Sequence, residues 1–211
     1  MAKRTAGVTE KLMECAKEEF LLNGYENTSL RTIAEKAGSS KGAIYIRYPD
    51  KVSMYRSLVQ PAADGFCELL QSVLNQFSAM SGEEQTKQMR RHSDDGFVKV
   101  VDYLYEYFDE FKLLFTSGEN TIYQEFIHRV VELDTGCTEK YIEVSGNDAI
   151  SSGRLTPELS HLLSSAFYTG MFEVVIHDMP KAQAIEHIQK MRRFYTAGWQ
   201  TIFLGDGGDG D

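Results

Sequence analysis

The chain has 211 residues, 42% of them apolar and 25% charged, and a formal net charge of −9. That composition fits one globular domain or a small domain joined to a larger one, and an aromatic content of 11% excludes disorder throughout. The acidic sum argues against duplex nucleic acid, which needs a basic footprint, but the charge is unevenly spread. Residues 1–60 carry ten basic and seven acidic side chains, so a head of +3 precedes a body of −12. Such asymmetry points to two units with different partners.

Helical periodicity dominates, and an all-α fold of about nine helices is predicted. Val8, Leu12, Ala16 and Phe20 recur every four residues behind a cap at Thr9, and Asn23-Gly24 ends that helix. Leu30, Ile33, Ala34 and Ala37 predict a second, short helix capped by Thr28 or Ser29 and closed by Gly38. Ser39 or Ser40 caps a third that runs to about Tyr48, and Pro49-Asp50 breaks the chain before a fourth begins near Lys51. Pro61 falls inside the apolar pattern of the fourth, where proline usually kinks or ends a helix, which places the junction of head and body at roughly 50–62.

A single helix is expected from about Glu83 to Tyr107, apolar nearly all round in its second half and so central to its domain. A short segment, Phe111 to Phe115, follows, then a helix from beyond Gly118 to about Val144. The stripe Leu159, Leu162, Leu163, Ala166, Phe167, Gly170, Met171 and Val174 turns at Met179-Pro180 into Ile185, Ile188, Met191, Tyr195, Gly198, Trp199 and Ile202, a helical hairpin. The expected organisation is a small helical head over 1–50, a larger helical body over 51–204, and a flexible acidic tail over 205–211.

The segment from Ile33 to Tyr48 has the mechanics of a helix-turn-helix. Ala34 and Gly38 allow close approach and a sharp turn, and Ile44 and Tyr48 face back as core. That leaves Ser39, Ser40, Lys41, Gly42, Ala43, Tyr45 and Arg47 toward solvent or DNA. Serines and a lysine at a helix N-terminus suit phosphate, and small residues such as Gly42 and Ala43 admit thymine methyls.

Taken together, Ala16-x3-Phe20, Asn23-Gly24-Tyr25, Thr28-Ser29, Ile33-Ala34-x2-Ala37-Gly38, Ser40-Lys41-Gly42-x2-Tyr45 and Tyr48-x2-Lys51 resemble the N-terminal domain of the tetracycline-repressor (TetR) family over residues 8–58. The resemblance implies a homodimer with a three-helix DNA-binding head and a helical effector-binding body. It makes Thr28, Ser40, Lys41, Gly42, Tyr45, Arg47 and Lys51 DNA contacts, with Tyr45 and Lys51 at the family's most regular phosphate contacts and Gly42 and Ala43 where bases are read. Two positions depart from the family: Ser39, where the turn residue is commonly apolar, and Tyr48, more often Phe, whose hydroxyl needs water or a partner.

One short recognition helix reaches only about four base pairs, so two copies must read a palindrome. The hairpin over 157–204 is the expected dimer interface, through Leu163, Phe167, Gly170, Val174, Tyr195, Trp199 and Ile202. Nine of the 23 Phe and Tyr residues fall between 97 and 126. That density suggests an effector pocket formed by Phe97, Val101, Tyr105, Phe108, Phe111, Phe115, Tyr123, Phe126, Ile127 and Met171; ordinary core is the competing reading. The interleaved carboxylates Asp102, Glu106 and Asp109 would suit a lipophilic cation if one faced inward.

His128, His161 and His177 could point at one interior, with Glu173 one turn before His177, but no metal signature or cofactor motif appears. Cys15, Cys67 and Cys137 are too scattered for a disulfide framework. No nucleophile elbow, HExxH or glycine-rich phosphate loop supports an enzyme. Met1–Gly7 lacks a signal-peptide stretch, and no window reaches the ~18 apolar residues of a membrane span, so a cytoplasmic protein is expected. The expected function is a ligand-responsive transcriptional regulator: a homodimeric repressor released from a palindromic DNA operator by a small apolar or aromatic effector. The alternative is a helical ligand-binding or interaction protein on the same fold without specific DNA binding.

Overall fold

A computed structural model describes residues 2–91, 95–116 and 120–205. Among these, ten helices occur in the order α1 (Ala2–Asn27), α2 (Leu30–Lys36), α3 (Lys41–Arg47), α4 (Lys51–Ser78), α5 (Gly82–Arg91), α6 (Asp95–Glu106), α7 (Phe108–Thr116), α8 (Asn120–Ser145), α9 (Pro157–Ile176) and α10 (Lys181–Leu204). The all-α expectation holds. The chain forms two compact units, one of Met1–Gly65 with Glu106–Glu125 and the other of Phe66–Tyr105 with Phe126–Asp211.

Three local expectations are corrected or sharpened. The helix expected over Glu83–Tyr107 is two helices, the polar α5 and the apolar α6. α4 runs through Pro61 without ending. Pro61 is exposed while Val59, Ala62, Ala63 and Phe66 are buried around it, so apolar burial on either side outweighs the one missing backbone bond. The break at Gly24 falls within α1, where Gly24 takes φ 73° and ψ 171°, a backbone conformation open to glycine. The acidic tail expected over 205–211 lies outside the described residues from 206 onward.

In the first unit, Leu12, Ala16 and Phe20 of α1, Ile33 and Ala34 of α2, Ile44 of α3, and Met54 and Tyr55 of α4 are all buried, with Phe20 edge-on to Tyr55. Phe111, Leu113 and Leu114 of α7 are buried in the same unit. Its outer seam is ionic: Lys17 Nζ lies 2.8 Å from Glu110 and 3.7 Å from Asp109. In the second unit, Phe66 sets its ring edge-on to Phe126 and Phe172, with centroids 5.5 and 5.7 Å away. Gly96 lets α6 close on α4, since a Cβ there would stand 2.7 Å from a methyl of Val73. At the far end of α10, Phe203 packs with Tyr141, Ile142, Ala149 and Leu155.

Among the described residues one helix, α9, reaches the length and mean hydropathy (1.2) of a marginal membrane span. It also buries Tyr168, Met171, Phe172, Val174 and Val175 within its own unit, as the central helix of a folded body does.

Candidate DNA interface and ligand cavity

The reader begins with two serine caps. Ser29 Oγ accepts from the Thr32 backbone amide, opening α2, and Ser40 Oγ accepts from that of Ala43, opening α3. Between them Gly38 takes φ 64°, and the Ser39 amide donates to Ala34 O at 2.8 Å, closing α2 in a tight turn. Ser39, half-buried, is accommodated there through its backbone. Ile44 is fully buried, which fixes the rotation of α3 and leaves Gly42 and Tyr45 exposed and Ala43 half-exposed. The hydroxyl of Tyr48 finds its partner in Met13 Sδ, 3.1 Å away.

Of the remaining expected DNA contacts, the side chain of Lys41 lies outside what the structure describes, and Arg47, Lys51 and Thr28 have internal partners. Arg47 donates from Nε to Thr9 Oγ1 at 3.0 Å and from Nη1 to Ala43 O at 2.9 Å. Lys51 Nζ donates to Tyr25 O at 2.7 Å and stands 4.3 Å above the Tyr25 ring. Thr28 is buried, and its hydroxyl donates to Gly24 O at 2.8 Å and Glu19 O at 3.1 Å. Sequence reasoning missed these tethers: those of Thr28 and Lys51 hold the starts of α2 and α4 to the end of α1, and that of Arg47 holds α3 to Thr9 near the beginning of α1. It also missed the ion pair between Lys36 and the buried Glu19.

The residues expected to line an effector pocket are not gathered at one place. Phe108, Phe111, Phe115 and Tyr123 belong to the first unit, where Phe111 stacks on Phe115 and Tyr123 meets Phe115 edge-on. Phe97, Val101, Tyr105, Phe126, Ile127 and Met171 belong to the second unit. Val101, Phe126, Ile127 and Met171 are buried there, and Tyr105 donates its hydroxyl to Met179 O at 2.6 Å. Of the ten, only Phe97 is among the residues that line the described cavities of the second unit.

Those cavities lie among α4, α6, α8, α9 and α10. One of about 290 Å³ lies apart, between α4 and α8 at Cys67, Gln71 and Leu133; of the two that share a wall, the larger, about 270 Å³, is bordered by Leu70, Val73, Phe97, Phe167 and Tyr195 among others. The smaller, about 180 Å³, is walled by Phe77, Cys137, Tyr141 and Phe203 among others. Leu74, Asp134 and Trp199 line both. Asp134 accepts from Ser164 Oγ at 2.6 Å and from the Tyr168 hydroxyl at 3.1 Å. Burial pushes its carboxyl above the usual carboxylate range against the opposing pull of those two donors. The sequence signal for this residue is an acid on the inward stripe of α8, one turn after Val130 and Val131 and seven residues before Tyr141.

Leu163, Phe167, Tyr195 and Trp199, expected at a dimer interface, line the cavities of their own unit. Val174 is buried, Ile202 packs on the Phe203 cluster, and Gly170 faces Met191. The exposed large apolar side chains of α9 and α10 are instead Leu162, Phe194 and, at the end of α10, Leu204. The histidines that could have pointed at one interior do not: His128, His161 and His177 are all exposed, with His128 paired to Glu132 and His177 to Glu173 on their own helices. Among the described residues, no group of three or more His, Cys, Asp or Glu could hold a metal ion.

A capped, glycine-turned helix pair whose second helix exposes Gly42, Tyr45 and Ile46, followed in the chain by a helical body with aromatic-walled cavities, has the build of a helix-turn-helix DNA-binding regulator. Residues 12–58 match the family described as bacterial regulatory proteins, tetR family. An uncharacterized HTH-type transcriptional regulator, YvdT of Bacillus subtilis (strain 168), is 27% identical over 104 residues, which span 49% of this chain and 45% of that protein.

Solved structures share the fold at low identity. A putative TetR-family regulator from Syntrophomonas wolfei aligns with a TM-score of 0.62 at 15% identity, over 97% of this chain and 99% of that one. NalD of Pseudomonas aeruginosa, the secondary repressor of the MexAB-OprM multidrug efflux pump, aligns at 0.61 and 17%, over 92% and 97%. Residues 12–58 thus carry the helix-turn-helix domain of the tetracycline-repressor (TetR) family of transcriptional regulators, and the chain shares the fold of solved structures from that family.

Proposed function

We propose that the chain is a cytoplasmic, non-enzymatic repressor that binds a palindromic operator as a homodimer and releases it when a small apolar or aromatic effector enters the body. The observation that carries the reading is the rotation of α3. Ile44 is locked into the core while Gly42, Ala43 and Tyr45 are directed outward, the disposition a recognition helix needs to enter a major groove. Ser39, Ser40, Lys41 and Arg47 belong to the same turn and helix. Thr28 and Lys51, tethered internally, would act by holding α2 and α4 in register or by exchanging a backbone carbonyl for a phosphate.

Two copies associate, in this reading, through the outer side of the hairpin. Leu162 and Ala166 on α9, and Phe194 and Gly198 on α10, are exposed at helical spacing, with small residues beside large ones. Phe194→Glu is expected to halve the mass measured by light scattering and to reduce operator binding with it. A variant that remains dimeric would remove this face from consideration.

Coupling runs along α4, which gives Lys51–Gly65 to the reader unit and Leu70, Val73, Leu74 and Phe77 to the cavity walls. An effector that displaces α4 would lower operator affinity by the usual allosteric coupling of about 1–3 kcal/mol, roughly 5–150-fold. Fluorescence anisotropy with DNA from upstream of the protein's own gene, at two salt concentrations, tests the reading. Specific, salt-sensitive binding is expected. Binding indifferent to sequence, or none, would favour a ligand-binding protein that does not read DNA.

A further inference from the structure

On the reading of the cavity as the effector site, we infer that its ligand is a lipophilic cation, an ammonium or similar charge on an aromatic or bulky apolar frame, and that Asp134 is the counter-charge. The two cavities share a wall at Leu74, Asp134 and Trp199, so a molecule in either one meets this carboxylate. Among the described residues the smaller cavity has no other charged lining side chain, and its remaining walls are largely aromatic. In the larger, the only other charged residue among those described is Arg192, whose guanidinium lies 4.4 Å over the Phe97 ring. That contact shows a cation seated on an aromatic face of the same cavity.

The protein leaves Asp134 short of positive charge. Both of its oxygens are placed to accept, from Ser164 and Tyr168, which is the arrangement that suits an ionised carboxylate. Two hydroxyl dipoles orient the charge without neutralising it, and among the described residues no cation pairs with it. A charge held in an apolar enclosure is costly until an opposite charge joins it. A cationic ligand supplies that charge and offers its apolar frame to Trp199, Phe203 and Phe167. An anionic ligand would be repelled at the one wall common to both cavities, and a neutral one would leave the carboxylate uncompensated.

Trp199 is the only tryptophan of the chain and lines both cavities, so its fluorescence reports occupancy directly. The full-length protein is titrated with benzyltrimethylammonium and with neopentylbenzene, which replaces the charged nitrogen by carbon at nearly constant shape. Asp134→Asn is expected to weaken the cation at least tenfold and to leave the neutral isostere within about twofold. Asp134→Glu, which keeps the charge, is expected to hold the cation within a few-fold of wild type.

Unchanged cation binding in Asp134→Asn would overturn the charge assignment while the cavity stays a ligand site. If neither probe perturbs Trp199 in the wild-type protein, the ligand site and the charge assignment both fall. Should Asp134→Asn lose both probes, Asp134→Glu decides: retained cation binding supports the assignment and lost binding overturns it. Anisotropy of operator DNA at saturating probe reads the effector role separately, because a cation can bind Asp134 without releasing DNA.

Discussion

Ala43→Asp is expected to weaken operator binding by about 100-fold or more while leaving the fold intact. Ala43 sits in the first turn of α3, half-exposed, beside the exposed Gly42 and two residues before the exposed Tyr45. A carboxylate there meets base-edge acceptors and phosphates, and a lost or reversed base contact costs about 1–3 kcal/mol in each half-site of a dimer. The helix itself tolerates the change, because an acid in the first turn interacts favourably with the helix dipole and the backbone bond from the Ala43 amide to Ser40 Oγ is retained. Operator anisotropy, read beside an unchanged thermal midpoint, checks this. Undiminished affinity would mean that α3 does not face DNA.

The largest effect on stability is expected from Tyr55→Ala. Tyr55 is fully buried, its hydroxyl donates to Leu113 O at 2.7 Å, and its ring stands edge-on to Phe20 and Tyr25 with centroids 5.2 Å away in both cases. Removing it opens a cavity where α1, α4 and α7 converge and leaves a buried carbonyl unpaired. Large aromatic truncations of this kind cost about 3–5 kcal/mol, and a chain of this size loses roughly 2–4 °C per kcal/mol, so the midpoint should fall by about 6–20 °C. Tyr55→Phe keeps the ring and isolates the orphaned carbonyl, at about 1–3 kcal/mol. Calorimetry of the three proteins separates the packing and hydrogen-bond contributions. A change of a degree or less for Tyr55→Ala would contradict the packing described for this unit.

The reader was legible because its signals are local. Gly24, Ser29, Gly38, Ser40 and Pro49 each act within a few residues of themselves, through φ, a cap or a missing amide, and the apolar spacing of Leu30, Ile33 and Ala34 assigns the inner face. Pro61 misled because its local penalty is outweighed by burial of Val59, Ala62, Ala63 and Phe66, and burial depends on partners distant in sequence. The ligand region was the least legible. Aromatic density between 97 and 126 is the same whether rings fill a core or wall a cavity, and here Phe111 and Phe126 are fully packed whereas Trp199 and Phe167 border open space.

The hairpin shows the same limit. Its periodicity identifies a face, and both Leu162 and Leu163 lie close to it, but only the packing of α9 decides that Leu163 lines the cavity while Leu162 stays outside. Asp134 was hidden among charges of the acidic body, distinguished only by its place on the inward stripe of α8.

The net charge of −9, which first argued against DNA, is compatible with binding once divided between a +3 head and a −12 body. Steering by the body would oppose docking in the wrong orientation. The most direct measurement is hydroxyl-radical footprinting of the wild-type protein on DNA upstream of its own gene. Two symmetric protected windows on one side of the duplex, with centres about 34–36 Å apart, are expected for a dimer reading successive major grooves, and Ala43→Asp should erase both. A uniform cleavage pattern at protein concentrations that retard the DNA, or a single unpaired window, would contradict a dimeric operator-reading regulator.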